Sequence, residues 1–401
     1  MSLSRAQPHS SGNIVLPLLA LALGTFMLGL TEFSMMPMLP LIAQSFNVAT
    51  DRAGEAISAY ALGVVVGAPL LMVLTPKLKR RTALVLYAFL IFLFNGLSAY
   101  SQSFSQLILF RFLSGLPHGA YFGTALLFGA KLAPEGRSTL FMSRVFFGLT
   151  IATIIGVPVA TLMAQILSWR LCLMVVALIG IIACGLLRKV LPDIQVSQGS
   201  LRQELGVLKD PLIWPIVGIG VIGFGGVFCI YTYLANTILN VTHVSGYFIS
   251  LAMVLFGIGS TTGNWLFGQP HDRFAGRVTG MALVYGVLVA LAYVKVAQYP
   301  ILLLVVVFLL GACLGLTTVI QSMLMQVAKG GHEVIGALLQ CAFNMANAIG
   351  PFAGSVVFTY HHPANQTGYV AALLFVGGFV MWLLSGIQRR QYAHKYIDTS
   401  R

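Results

Sequence analysis

The sequence predicts an all-α membrane protein with twelve transmembrane helices in two pseudo-symmetric halves of six. Of its 401 residues, 58% are hydrophobic and only 8% are charged, whereas soluble domains carry roughly 25% charged residues. The apolar residues form twelve runs of about 20 residues or more, the length that crosses a bilayer as a helix. A repeat relates the first six runs to the last six, so the lipid bilayer is the expected partner of most of the surface.

The twelve runs define the predicted spans and their connections. In chain order the spans cover 14–40, 53–74, 82–102, 105–130, 141–166, 170–190, 212–238, 246–268, 278–297, 301–327, 334–360 and 367–387. The longest polar connection, 191–211, separates a first bundle (14–190) from a second (212–387). Residues 1–13 and 388–401 are polar tails. The first run has no small-residue cleavage pattern, so we expect a retained span and not a signal peptide.

The distribution of basic residues predicts the orientation in the membrane. Of the 23 Lys and Arg residues, 19 fall in the two tails or in and beside the connections that share a side with the tails. Because cytoplasmic loops carry an excess of Lys and Arg, both termini are expected in the cytoplasm. The same bias accounts for the net charge of +13, so we expect no nucleic-acid partner.

An internal repeat supports the division into two halves. Segment 67–81, which follows span 2, corresponds to segment 263–277, which follows span 8, at a constant offset of 196 residues. Gly67 and Gly263 match, and basic residues recur at equivalent positions. Two parallel six-helix halves with a binding site between them near the middle of the membrane are typical of transporters.

Two motifs resemble those of the major facilitator superfamily. The loop 263–277, with Asp272 and Arg273, resembles the family's G-x-x-x-D-R-x-G-R loop, although Pro76 stands at the Asp position of the first copy. In span 4, the segment from Arg111 to Gly119 resembles the family's R-x-x-x-G-x-x-x-G pattern. The resemblance covers nearly the whole chain and implies the major facilitator fold.

Motifs in span 5 and elsewhere indicate which branch of the superfamily the chain resembles. Gly148, Gly156 and Pro158 resemble the Gly/Pro motif of the drug:proton antiporter branch, where Gly permits close helix approach and Pro bends the helix. Segments 115–123 and 328–331, together with residues 342–344, resemble bacterial arabinose and sugar efflux proteins, to which purine-nucleoside and chloramphenicol exporters are closely related. The resemblance implies a monomer in the bacterial inner membrane.

Glu32 and Arg111 are the candidate proton-coupling residues. Glu32 is the only carboxylate well inside a predicted span, and a charge at membrane depth indicates function. At the helical rise, Glu32 lies about 12 Å and Arg111 about 9 Å from the same side of the membrane. We expect them to face each other. The alternative is a permanent ion pair that only orients spans 1 and 4.

Further polar and aromatic side chains inside the spans are candidate ligands of the solute. Intramembrane polar groups must face protein or water, and as a set these offer hydrogen bonds and aromatic faces to a neutral molecule. The alternative role for each is helix–helix hydrogen bonding, and for His118 a neutral packed imidazole or a second proton station. The candidate substrate-binding residues are Tyr60, His118, Phe122, Tyr231, Tyr233, Asn236, Gln321, Gln340, Asn344 and Asn347.

The expected function is proton-coupled export of a small organic solute, such as a sugar, by rocking of the two halves. The sequence has no P-loop, no GxSxG or HExxH motif and no Cys/His spacing of a metal site, so no cofactor, metal or enzymatic activity is expected. The alternatives are export of purine nucleosides or of amphipathic drugs such as chloramphenicol, and proton-independent uniport.

Overall fold

The computed structural model describes residues 14–75, 78–193, 205–269, 274–327 and 332–398, and no β-strand occurs among them. Spans 1–6 are the helices Val15–Phe33 with Leu39–Phe46, Thr50–Ala53 with Glu55–Leu74, Arg80–Ala99, Phe104–Leu132, Ser138–Ile151 with Val157–Ile166, and Trp169–Val190. Spans 7–12 are Ile213–Asn240, Tyr247–Gly268, Ala275–Val296, Pro300–Ala312 with Leu316–Val327, His332–Thr359, and Thr367–Asp398.

The predicted fold class is confirmed. In the described part of the chain, 11 helices are long and apolar enough to cross a membrane. They belong to every span except span 4 (Phe104–Leu132), whose sequence contains Arg111 and His118. The apolar part of span 12 ends at Gln388, close to the expected 387, and its helix continues to Asp398. The added residues are mostly good helix formers, so polarity did not end the helix there.

Spans 1 and 5 are interrupted near proline. Span 1 ends its first helix at Phe33, turns through 34–38 and restarts at Leu39. This is the break that Pro37 and Pro40 predict, since Pro lacks a backbone N–H but is tolerated in the first helical turn. Span 5 has a π-helical turn, Ala152–Gly156, which ends two residues before Pro158.

The two halves repeat the same close helix approaches. A Cβ added to Gly63 of span 2 would lie 2.1 Å from the carbonyl oxygen of Phe112 in span 4. A Cβ on Gly259 of span 8 would lie 2.0 Å from that of Phe308 in span 10. Both members of the second pair follow those of the first by 196 residues. The sequence repeat therefore extends from the loops into the helix packing.

The halves meet mainly through spans 2 and 11 and through spans 5 and 8. We call the end of the bundle that holds the connections 47–49, 241–246 and 360–363 the loop 1–2 end. Near it, Ser58 Oγ donates a 2.9 Å hydrogen bond to the Ala348 carbonyl, and Asn236 Nδ2 donates a 3.4 Å bond to Thr50 Oγ1. The halves are therefore closed together at the loop 1–2 end.

Substituting Gly259 with Ala will destabilise the protein by about 1–3 kcal/mol, because the added methyl group meets a backbone carbonyl that has no room to move. Thermal unfolding of the purified protein in detergent measures the loss. Gly268→Ala, on the same helix, is the matched control because nothing lies within 4 Å of its added Cβ. Equal unfolding temperatures for the two variants would contradict the close approach.

Substituting Gly54 with Leu will separate the halves at the loop 1–2 end. Gly54 has a φ of −60°, which any residue adopts, but an added Cβ would lie 2.8 Å from the Tyr233 hydroxyl of the other half. Spin labels are placed at positions 102 and 298, both exposed at this end, in a protein without the native cysteines. The distance between the two labels will be longer in the Gly54→Leu variant than in the unsubstituted protein. Gly123→Leu, which adds the same bulk in open space, should leave it unchanged. An unaltered distance in the Gly54 variant is the opposing result.

Candidate functional site

The carboxyl group of Glu32 lies between the two halves. Glu32 is in the last turn of the helix Val15–Phe33, and only 2% of the residue is exposed. Asn347 Nδ2, on span 11 of the second half, donates a 3.2 Å hydrogen bond to Glu32 Oε1. His118 Nε2, on span 4 of the first half, lies 3.8 Å from Oε2. A change of charge on Glu32 is therefore felt in both halves.

Arg111 is fully buried and held by neutral oxygens. Its Nη2 donates a 2.8 Å hydrogen bond to the Thr31 carbonyl, and its Nη1 donates a 3.1 Å bond to the Thr31 hydroxyl. Thr31 is in the final turn before the break, where carbonyls lack helical N–H partners. The guanidinium carbon also lies 4.2 Å from the centre of the Tyr60 ring, a cation–π contact.

Glu32 and Arg111 lie in one buried cluster, but the structure does not form the permanent ion pair that was the alternative interpretation. An ion pair between them is not among those formed by the described residues. The physical reason is that Thr31, the neighbour of Glu32, offers Arg111 two oxygens where the helix ends. Matching depth along the membrane normal placed the two groups near each other but did not determine which atom the guanidinium binds.

Tyr60 and His118 connect the two charged groups. The Tyr60 hydroxyl and His118 Nδ1 are 2.6 Å apart, so one hydrogen bond joins them, and both residues are 1% exposed. Contacts then run from Glu32 to His118, from His118 to Tyr60, and from Tyr60 to Arg111. Imidazole and carboxyl groups both exchange protons readily, so this cluster has the chemistry to hold a proton and redistribute it.

The candidate substrate-binding residues on span 7 contact other helices of the protein. Tyr231 stacks on Phe256 with ring centres 4.1 Å apart. The Tyr233 hydroxyl donates a 2.8 Å hydrogen bond to the Pro351 carbonyl. Asn236 takes part in the contact at the loop 1–2 end described above. In this conformation, Tyr233 and Asn236 belong to the closed interface.

Span 11 brings amides to the same region as Glu32. Asn344 and Asn347 are fully buried, and the Oδ1 atom of each has no hydrogen-bond partner within the described structure. Asn344 Nδ2 donates a 3.1 Å bond to the Gln340 carbonyl. Gln340 is half-buried and Gln321 of span 10 is exposed. Two unused acceptors one helical turn apart suit a partner that donates hydrogen bonds.

The remaining candidates are placed around this centre or outside the described residues. Phe122 of span 4 is half-buried and meets Phe146 edge-on at 5.9 Å. A Cβ on Gly148 would lie 2.0 Å from the Ala22 carbonyl, so span 5 lies directly against span 1. Gly156 ends the π turn, and Pro158 follows it. Asp272 and Arg273, like segment 328–331, both tail ends and most of the central connection, lie outside the described residues.

Sequence reasoning missed an aromatic cluster beside Glu32. Phe33 lies 6.5 Å from Phe228 and 6.4 Å from Phe343 between ring centres, and Phe343 lies 5.0 Å from Phe228. Phe33 belongs to the first half and the other two to the second. In the sequence these rings are indistinguishable from ordinary packing residues, and only their contacts between the two halves single them out.

Sequence reasoning also missed Asn95, which contacts the Arg111 site from span 3. Asn95 is fully buried, and its Oδ1 lies 3.4 Å from Arg111 Nη1. The available signal was an amide in the middle of an otherwise apolar run. Such a residue is costly in lipid unless its hydrogen bonds are satisfied within the bundle.

Comparison with known proteins identifies related chains. The protein is 34% identical to the inner membrane transport protein YdhP of Escherichia coli (strain K12), over 86% of this chain and 89% of that protein. It is 29% identical to a chloramphenicol resistance protein of Streptomyces lividans, over 88% and 91% of the two chains. It is 26% identical to a probable sugar efflux transporter of Helicobacter pylori (strain J99), over 89% and 90%.

The fold and the family are also matched directly. A crystal structure of a bacterial homolog of the human lysosomal transporter Spinster, in an inward-facing and occupied conformation, superposes with a TM-score of 0.71 at 15% identity, over 92% of this chain and 96% of that one. The family model described as Major Facilitator Superfamily matches residues 21–332. The chain belongs to the Major Facilitator Superfamily of membrane transporters.

Proposed function

We propose that this transporter exports a small neutral organic solute, such as a sugar, in exchange for protons that bind Glu32. The observation that carries the proposal is the position of the Glu32 carboxyl, which contacts His118 of one half and Asn347 of the other. Glu32 is also the only buried carboxylate among the described side chains. A proton site at the interface of the moving parts is what coupling requires.

The contact with Asn347 links proton binding to the arrangement of the halves. Closing the halves removes the carboxyl group from water, which disfavours its ionised form, whereas a donated hydrogen bond favours that form. Separation of the halves changes both effects, so the proton occupancy of Glu32 depends on conformation. By the reciprocity of linked equilibria, proton binding then shifts the balance between conformations.

The sidedness follows from the positive-inside rule. Lys79 and Arg81, at the end opposite the loop 1–2 end, join Asp193 in 3.1 Å ion pairs. With the basic loops in the cytoplasm, the loop 1–2 end faces the periplasm of a bacterial inner membrane. The contacts between the halves then close the periplasmic side. In that state the transporter collects solute from the cytoplasm, as an exporter must.

The second half supports recognition of a neutral solute. The second half supplies Asn347, which contacts Glu32, and the rings of Phe228 and Phe343, which meet Phe33, and none of these side chains is charged. Amide oxygens bind hydroxyl groups, and an aromatic face packs on the C–H face of a sugar ring or on an apolar drug. The relatives named for sugar efflux and for chloramphenicol resistance support export of either class.

Glu32→Gln will abolish the response of transport to a proton gradient, because the amide binds no proton but keeps the shape of the side chain. In proteoliposomes loaded with a range of sugars, solute flux driven by a pH difference will fall at least about tenfold because the glutamine side chain cannot take up the coupling proton. Glu55→Gln, an exposed carboxylate at the start of span 2, is the control and should behave as wild type.

The same assay separates antiport from uniport. Solute flux in wild type that ignores the pH difference indicates a uniporter and refutes the proton-coupled proposal. Full proton-driven flux in the Glu32→Gln protein leaves coupling intact but assigns it to another group.

Asn344→Ala will weaken binding of the hydroxyl-rich solute by about 1–2 kcal/mol, roughly ten-fold, because one acceptor is lost. Ligand-induced thermal shifts with sugars, nucleosides and chloramphenicol identify the solute class and its dependence on Asn344. Asn240→Ala, at the exposed end of span 7, is the matched control. Unchanged affinity for the best ligand in the Asn344 variant would remove this residue from the binding site.

A further inference from the structure

The guanidinium group of Arg111 is oriented by an amide on a third span. Its Nη1 has two acceptors, Thr31 Oγ1 at 3.1 Å and Asn95 Oδ1 at 3.4 Å. These two acceptors also contact each other, because the Thr31 hydroxyl donates a 2.6 Å hydrogen bond to Asn95 Oδ1. Spans 1, 3 and 4 therefore meet in one closed triangle of hydrogen bonds.

Asn95 determines the direction of that triangle. Its Nδ2 donates a 2.8 Å bond to the Ile91 carbonyl of its own helix, which directs Oδ1 towards Thr31 and Arg111. The Thr31 hydroxyl donates its hydrogen bond to Asn95, so its lone pairs remain available to accept a hydrogen bond from Arg111. Without the Asn95 oxygen, the Thr31 hydroxyl turns elsewhere, and Nη1 loses both acceptors together.

An arginine released from this triangle has a charged alternative close by. Glu32 follows Thr31 in the chain, and the Nε atom of Arg111 has no hydrogen-bond partner in the described structure. The other titratable groups at this cluster are His118 on span 4 and Tyr60 on span 2. The facing side chains of spans 1, 3 and 11, Thr31, Asn95 and Asn347, are neutral.

We propose that Asn95 is a positioning residue for proton exchange: it holds Arg111 on Thr31 and away from Glu32, so that a proton and not the arginine neutralises the carboxylate. This inference rests on the proposed role of Glu32 as the proton site. It assigns to span 3 a part in coupling, although no residue of that span contacts the carboxyl group in the contacts described above.

Two substitutions of Asn95 have opposite expected effects. In Asn95→Leu, Arg111 turns to Glu32 and holds it ionised, so Glu32 takes up its proton at a pH lower by about one unit or more. In Asn95→Asp, a carboxylate of the same shape pairs with Arg111 and adds negative charge, so Glu32 keeps its proton to a higher pH. A merely structural residue has no reason to produce shifts of opposite sign.

The measurement is the infrared absorbance of the protonated Glu32 carboxyl in the purified full-length protein, taken across pH as the difference from Glu32→Gln in the same background. Thr31→Val, which removes the hydroxyl but keeps the carbonyl, should shift the signal in the direction of Asn95→Leu. It serves as the test if the Asn95 variants do not fold. Ser98→Ala, on the same helix, removes a hydroxyl that donates to the Phe94 carbonyl and should match wild type.

Shifts of the same sign in the two Asn95 variants, or no shift in any variant, would overturn the proposal. The infrared signal needs neither solute nor a gradient, so its outcome is separate from that of the transport assay. Opposite shifts together with solute flux that ignores the pH difference would sustain the role of Asn95 and refute the proton-coupled export.

Discussion

The buried cation of Arg111 is the constraint on which the centre of this protein depends. A guanidinium group removed from water must be satisfied by the protein around it, and here the partners are two oxygens of Thr31, the amide of Asn95 and the face of Tyr60. One of those oxygens is available because span 1 stops being helical two residues later. The break in span 1 therefore provides a carbonyl acceptor for the buried guanidinium group of Arg111.

The two halves share a backbone arrangement but carry different side chains at corresponding positions of their central helices. At the offset of 196 residues, Tyr60, Arg111 and His118 correspond to Phe256, Val307 and Leu314. The second half thus keeps the close helix approaches and replaces the titratable cluster by apolar side chains. Near the interface it contributes the neutral amides of span 11. In the proposed mechanism, proton binding by the first half and recognition of a neutral solute by the second half meet at Glu32.

Composition and spacing predicted the spans and the burial of Glu32 and Arg111, because each is a property of one helix in lipid. The partners of those residues depend on how helices rotate against each other. Asn347 is 315 positions from Glu32, and no periodicity relates them. Asn95 was visible only as an amide in an apolar run. Apolar length predicted where span 12 leaves the membrane, but it does not measure helix propensity and so gave no sign that the helix continues to Asp398.

The break in span 1 also shows how motion of the halves reaches the carboxyl group. The helix that carries Glu32 packs on spans 5 and 6 of its own half, whereas the short helix Leu39–Phe46 beyond the break packs against span 7 of the other half. The separation of the halves proposed above would pull on span 1 at residues 34–38, which follow Glu32 closely in the chain. Span 1 has no need to move as a rigid rod. In the proposed transport cycle, a rotation at the break would separate Glu32 from Asn347 while Thr31 stays bound to Arg111.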